Sequence, residues 1–149
     1  MATHHLAHLN IARLRAPFDA PELADFMAGL PGINAIADAT PGFVWRLDDE
    51  EDDAASVEAF GADMLVNLSV WENLAALHGF VFHTEHATYM RRRREWFDRM
   101  MEPSLVLWWI PIGTEPSVSE AKRALQTLRR QGATPLAFDF RSPFPPPGT

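Results

Sequence analysis

Two histidines and two asparagines are the residues whose types and spacing best support chemistry. His83 and His86 lie three positions apart in a segment with helical periodicity, and an imidazole on such a helix can act as a general base near neutral pH. Asn10 and Asn67 lie in segments with strand alternation, and buried amides can orient a substrate carbonyl or stabilise an oxyanion. We therefore predict His86, His83 and Asn10 as catalytic candidates and Asn67 as a ligand-binding residue.

Structural interpretations compete with each of these assignments. A lone histidine on an apolar helix face is more often a hydrogen-bonded core residue, and two amides can satisfy each other or a buried water. His8 shares the strand face of Asn10, so it either contacts a ligand or is a hydrogen-bonded structural histidine. Ser69 is expected to be the N-cap of the next helix. The sequence predicts no metal site, because a third ligand beside His83 and His86 is not evident and an HExxH motif is absent.

The tryptophans are candidate walls of a pocket for an apolar or aromatic small molecule. Trp71 follows the third predicted strand, whereas Trp45 and Trp109 lie on the second and fourth. Strand alternation sends Trp108 and Trp109 to opposite faces of the sheet, so one of the two should face the pocket. We predict Trp71, Trp45 and Trp109 as ligand-binding residues, together with His8, although strand aromatics are more often part of the core.

The elements that must position these residues follow the order β-α-β-β-α-β, with a further helix at the end. The predicted strands cover residues 6–11, 43–47, 64–70 and 105–110. One helix follows Pro21 with a kink or short break at Pro31-Gly32, a second runs from about Trp71 to Met100, and the last follows Ser117. This order predicts an α+β, ferredoxin-like βαββαβ fold with an additional C-terminal helix and a four-stranded antiparallel sheet of order 4-1-3-2.

One face of this predicted sheet lacks a cover. Alternating apolar residues of the first and third strands should pack under the helices, and the opposite face then carries His8, Asn10 and Asn67. A single helix layer cannot cover both faces of a sheet. We therefore expect a second copy of the chain to cover the mixed face, which makes the protein a homodimer.

Composition limits the classes of function. The chain has 149 residues, no cysteine and a net charge of −7, and the run from Asp48 to Asp53 holds six of its 20 acidic residues. Such a chain is expected to be a single cytoplasmic domain over residues 1–149, with no nucleic-acid partner and no membrane partner. Within it we predict an acidic flexible loop at 48–60 and a Pro-rich tail at 141–149.

Several segments resemble an uncharacterised family of unknown function within the dimeric α+β barrel superfamily. They are Leu6–Arg15, Pro41–Leu47, Asn67–Leu74, Arg91–Phe97 and Leu107–Pro111. The resemblance covers about residues 4–140 and implies a dimeric α+β barrel related to quinol monooxygenases. Its relatives include cofactor-independent quinol-type monooxygenases, haem-degrading monooxygenases and non-catalytic ligand binders.

The resemblance implies three alternative functions. The first is cofactor-independent oxygenation of an aromatic, quinol- or polyketide-like substrate. The second is haem binding or degradation, because the haem-degrading relatives use an asparagine on the first strand, a tryptophan after the third strand and a histidine on the next helix. Asn10, Trp71 and either His83 or His86 occupy those places, so haem is the alternative to having no cofactor. The third is a non-catalytic ligand-binding or structural dimer.

Overall fold

A central antiparallel sheet carries the helices on both of its faces. The computed structural model describes residues 2–47 and 49–148, with the side chains of residues 49–53 outside the description. Within that part of the chain the strands are β1 (His4–Leu14), β2 (Phe43–Arg46), β3 (Met64–Trp71), β4 (Phe97–Asp98) and β5 (Leu105–Pro111). The α-helices are α1 (Ala24–Ala39), α2 (Asp49–Phe60), α3 (Leu74–His83), α4 (His86–Arg91), α5 (Arg93–Trp96) and α6 (Val118–Gln131), and a 3₁₀ turn at Pro21–Leu23 precedes α1.

Strand β1 lies at the centre of the sheet. It pairs with β3 along one edge and with β4 and β5 along the other, while β2 pairs with β3. The predicted adjacency of the first and third strands, with the last strand on the far side of the first, is confirmed. The sheet has five strands rather than four, because the two-residue strand β4 adds to the end of β1 at Arg13 and Leu14.

Helices cover both faces of the sheet, whereas we predicted a single helix layer on one face. Ala7, Leu9 and Ile11 pack in a core with α2 and α6, whereas the opposite face packs against α1 and α3. The expectation that the mixed face lies uncovered is therefore wrong. A second copy of the chain is not required to cover it, because the helices of one chain form two layers.

Helix α2 replaces the flexible loop predicted at 48–60, and Asp48 itself lies outside the described residues. The prediction gave too much weight to charge repulsion. The alanines at 54 and 55 have the highest helix propensity. At the C-terminal end of α2, Ala59 and Phe60 pack against the sheet core, so tertiary contacts also hold the helix.

Two helix boundaries also differ from the prediction. Helix α1 continues through Pro31 without a break. A proline removes one helical hydrogen bond, and the burial of Ile33 and Ala37 in the core holds the helix in place despite that loss. The single helix predicted from Trp71 to Met100 is instead three short helices, α3 to α5. Within the described residues, no helix is long and apolar enough to cross a bilayer.

The last helix begins and ends close to where the sequence predicts. Ser117 caps α6, with its hydroxyl oxygen 3.0 Å from the Glu120 amide that donates to it, and Gly132 ends the helix with a φ of 75°. Beyond it, Phe138 is fully buried and exchanges two backbone hydrogen bonds with Leu107 of β5, at 2.8 and 2.9 Å. The C-terminal segment is thereby joined to the outer edge of the sheet.

The short helix α4 packs against α1 through Tyr89, whose ring lies against Gly29. A Cβ atom built at Gly29 would overlap the ring and the hydroxyl of Tyr89, whereas the same atom at Gly32 would meet open space. Tyr89 also stacks on Trp96, with ring centroids 5.6 Å apart. The absence of a side chain at Gly29 therefore lets α4 approach α1.

We predict opposite effects for two alanine substitutions in α1. Gly32→Ala should raise the free energy of unfolding by about 0.5–1 kcal/mol, because alanine is the better helix former. Gly29→Ala should lower it by about 1–3 kcal/mol, because the new methyl group must displace Tyr89. Urea unfolding of both variants measures the difference, and equal stabilisation by the two substitutions would contradict the close packing of α4 on α1.

Candidate functional site

A cavity of about 570 Å³ lies between the sheet and helices α1, α3 and α4. This volume lies within the range of pockets that bind small molecules. Polar side chains from the strands line it, namely His8, Asn10, Asn67 and Ser69, and His86 lines it from the helical side. Much of the remaining wall is apolar and includes Ile33, Phe43, Trp71, Leu77, Phe80 and Val81.

A hydrogen-bonded chain of three side chains forms one wall of the cavity. The register of β1 with β3 places His8 opposite Ser69, and Trp71 lies on the same face two residues further on. Trp71 Nε1 donates to Ser69 Oγ at 3.0 Å, and Ser69 Oγ is 3.2 Å from His8 Nδ1. Because the indole can only donate, the hydroxyl hydrogen of Ser69 remains for Nδ1 of a neutral His8.

Burial keeps His8 neutral. Its residue surface is only 9% exposed, and its pKa is lowered from 6.5 to about 3, first by burial and then by repulsion from a charge on His86. A group with so low a pKa is a weak base. His8 is therefore not suited to proton transfer near neutral pH.

A break in the helical layer positions His86. The Thr84 hydroxyl donates to the Phe80 carbonyl at the end of α3 and accepts from the His86 amide at the start of α4. The His86 ring turns its Nδ1 to the Val81 carbonyl oxygen at 3.2 Å, and its centroid lies 4.9 Å from that of Phe80. Because Nδ1 must carry the hydrogen in this bond, Nε2 keeps its lone pair.

The electrostatics of His86 suit a base. Burial lowers its pKa, and the hydrogen bond to the Val81 carbonyl opposes that shift in part. His86 is therefore neutral near pH 7, and its Nε2 can accept a proton from a bound molecule.

The two predicted asparagines are brought together. Asn10 and Asn67 are direct partners across β1 and β3, and both line the cavity, so their predicted proximity is confirmed. Asn10 is half-buried and Asn67 is exposed. The cavity therefore presents a row of polar groups along the two strands, with His8 and Ser69 followed by the two amides.

Three other predicted site residues lie elsewhere. His83 is exposed, and its ring lies 5.6 Å from that of His78. Trp45 packs against the core on the opposite face of the sheet. Trp109 packs on the cavity-side core, but its Nε1 donates to the Phe144 carbonyl at 2.9 Å and the C-terminal segment covers it. None of the three is among the described residues that line the cavity.

Some site residues were missed or misassigned from the sequence. The N-cap of α3 is Asn73, which accepts from the Ala76 amide at 2.9 Å, so the predicted capping role of Ser69 is wrong. The bridging role of Ser69 could have been found from its place opposite His8 in the predicted pairing of the strands. Arg93, Arg94 and Arg99 also line the cavity, although an arginine run on a helix normally indicates a solvated surface. Among the described residues, no group of three potential metal-ligating side chains occurs.

Residues 5–149 match the family described as a domain of unknown function, DUF3291. The chain belongs to the DUF3291 family. The expectation of an uncharacterised family is thereby confirmed. Among curated proteins, none matches the chain.

Two solved structures are similar to this DUF3291 protein at low sequence identity. One is the crystal structure of NE2512, a protein of unknown function from Nitrosomonas europaea, with 16% identity over 77% of this chain and 95% of that chain and a TM-score of 0.46. The other is the crystal structure of PA3566 from Pseudomonas aeruginosa, with 16% identity over 76% of this chain and 98% of that chain and a TM-score of 0.48.

The neutral state of His8 makes the stability of this DUF3291 protein depend on pH. Between pH 6.5 and about 3 the unfolded chain binds a proton at His8 that the folded chain excludes. The free energy of unfolding should therefore fall as the pH drops below 6.5, by about 1.4 kcal/mol per pH unit from this group.

Urea unfolding at pH 7.5 and pH 5.5 measures this dependence. His8→Asn should remove the contribution of His8 to the pH dependence, whereas the exposed residue His83 provides a control, His83→Asn, that should retain it. If His8→Asn and the wild type lose the same stability between the two pH values, His8 is not buried as a neutral group.

Proposed function

We propose that this DUF3291 protein binds an apolar or aromatic, quinol- or polyketide-like small molecule in the cavity and removes a proton from it with His86. The observation that carries this proposal is that a neutral imidazole, His86, and two amides, Asn10 and Asn67, line one cavity of ligand size. The apolar walls around Trp71 and Phe80 supply the contacts that an aromatic ring needs.

The chemistry follows from the state of His86. When Nε2 accepts the hydrogen of a quinol hydroxyl, the electron pair of the O–H bond stays on the substrate oxygen as a phenolate. Asn10 and Asn67 can donate hydrogen bonds to that oxygen. An electron-rich phenolate can transfer an electron to dioxygen, and the substrate radical and superoxide then join at a ring carbon to form a hydroperoxide. Loss of water from this hydroperoxide leaves one oxygen atom on the ring as a ketone, which is the oxygenation implied by the resemblance to quinol-type monooxygenases.

We also propose that the chain has the ferredoxin-like fold and is a member of the dimeric α+β barrel superfamily. The arrangement of β1 between β3 and β5 supports them. The homodimer stays a prediction. The uncovered sheet face no longer supports it, because α2 and α6 pack on one face of the sheet and α1 and α3 pack on the other.

Substitution of His86 tests the proposed base. His86→Gln should lower dioxygen uptake with 1,4-dihydroxynaphthalene, corrected for autoxidation, by about 10²–10⁴-fold. His83→Gln, on the exposed side of α3, should leave the rate unchanged.

The wild-type rate should also fall at low pH as His86 becomes protonated, and this fall should begin below pH 6.5 because burial lowers the pKa of His86. Equal rates in His86→Gln and the wild type would contradict the assignment.

One observation favours haem as a second candidate. His86 holds Nδ1 on a backbone carbonyl and leaves Nε2 with its lone pair, as metal-ligating histidines do. The residues present therefore fit a haem, whose iron His86 would hold through Nε2. Haem iron would supply the site for binding and activating dioxygen.

Haemin titration separates the two candidates. If haem is the ligand, the wild type should give a Soret band that saturates at one equivalent, and His86→Ala should weaken or shift it. A spectrum that stays that of free haemin would exclude haem and leave the aromatic ligand as the proposal.

A further inference from the structure

Three arginines at the cavity are not balanced by acidic side chains. Arg93, Arg94 and Arg99 line it, and among the described residues none of their guanidinium groups forms an ion pair. Arg93 donates to the Met90 carbonyl, at 3.0 Å. Other arginines of the same region are paired, since Arg46 binds Asp38 at 2.8 Å and Arg92 binds both Asp25 and Glu95.

These arginines lie at one end of the cavity. Arg93 and Arg94 belong to α5, and Arg99 directly follows β4. Strand β4 pairs with the last two residues of β1, Arg13 and Leu14. His8 lies five to six residues earlier on the same strand, which corresponds to roughly 17–20 Å of extended chain. The guanidinium groups are therefore contributed from the end of β1 that is remote from His8.

The positive charge is local rather than general. The whole chain carries a net charge of −7, so an anion gains no attraction from the protein as a whole. Among the described residues that line the cavity, the acidic one is Asp98, whose carboxylate lies 3.6 Å from the guanidinium group of Arg15. Arg93, Arg94 and Arg99 are exposed, and a planar guanidinium group binds a carboxylate through two parallel hydrogen bonds.

We propose that the ligand of this cavity is an aromatic carboxylate. Arg93, Arg94 and Arg99 bind its carboxylate group, and its ring extends along β1 towards His8 and His86. The assignment rests on the proposed function, because it specifies the polar end of the same ligand. It adds the charge of the substrate, which the amides and the imidazoles do not determine.

Two probes of nearly equal shape test the charge. Naphthalene-2-carboxylate should bind the wild-type protein at least about tenfold more tightly than naphthalene-2-carboxamide, because only the carboxylate pairs with the arginines. Raising the salt concentration should weaken binding of the carboxylate more than binding of the amide. Isothermal titration calorimetry measures both affinities, and this comparison needs no variant.

A double substitution locates the effect. Arg94→Gln with Arg99→Gln should lower the affinity for the carboxylate towards that for the amide and leave amide binding unchanged. Arg123 is exposed on α6, on the opposite side of the sheet, so Arg123→Gln should change neither affinity. Circular dichroism confirms that the variants are folded.

The outcomes separate the two proposals. Tighter binding of the carboxylate that is lost in the double variant supports an aromatic acid. Equal binding of the two probes by the wild type, or an unchanged preference in the double variant, overturns the inference and leaves the proposed aromatic ligand intact. If neither probe binds at millimolar concentration, the proposed function itself fails.

Discussion

The register between β1 and β3 is the constraint on which the cavity depends. It places His8 opposite Ser69 and Asn10 opposite Asn67, so four polar side chains from segments about sixty residues apart meet on one face. A slip of one residue would turn every side chain of β1 to the other face of the sheet. The apolar residues between them, such as Leu9 and Leu68, fix the register because they are almost fully buried against α6. The core on one face therefore determines the chemistry on the other.

The helical side of the cavity depends on the break between α3 and α4. Thr84 uses its hydroxyl both to end α3 and to satisfy the first amide of α4, and the resulting break turns His86 towards the carbonyl of Val81. The same arrangement buries the imidazole, which lowers its pKa. Thr84 thus joins the end of α3 to the start of α4, while the Val81 carbonyl sets the tautomer of His86.

Local and pairwise signals in the sequence were sufficient for much of this site. Strand alternation placed Asn10 beside Asn67, and the capping serine at 117 was also correct. The failures concern contacts that no local pattern contains. Residues 49–53 of the acidic run lie in α2, whose last residues, Ala59 and Phe60, pack against the core. Helices α2 and α6 pack on one face of the sheet, and α1 and α3 pack on the other. Alternation left open which of Trp108 and Trp109 faces the cavity; Trp109 lies on the cavity side of the sheet, but residues far along the chain, Phe138 and Phe144, cover it. Helical periodicity likewise could not separate His83 from His86, because the break at Thr84 depends on one hydroxyl group.

The bond between the C-terminal segment and β5 has a consequence for how this protein meets other copies of itself. Phe138 occupies the outer edge of β5 at Leu107 with two backbone hydrogen bonds, and the opposite outer strand, β2, has only four residues and a bulge. Unpaired sheet edges are templates for strand addition and fibrous aggregation. Both outer edges of this sheet are thus poor templates. Loss of the last dozen residues would expose the outer edge of β5 and the indole of Trp109. The C-terminal segment therefore occupies part of the outer edge of β5 and covers the indole of Trp109.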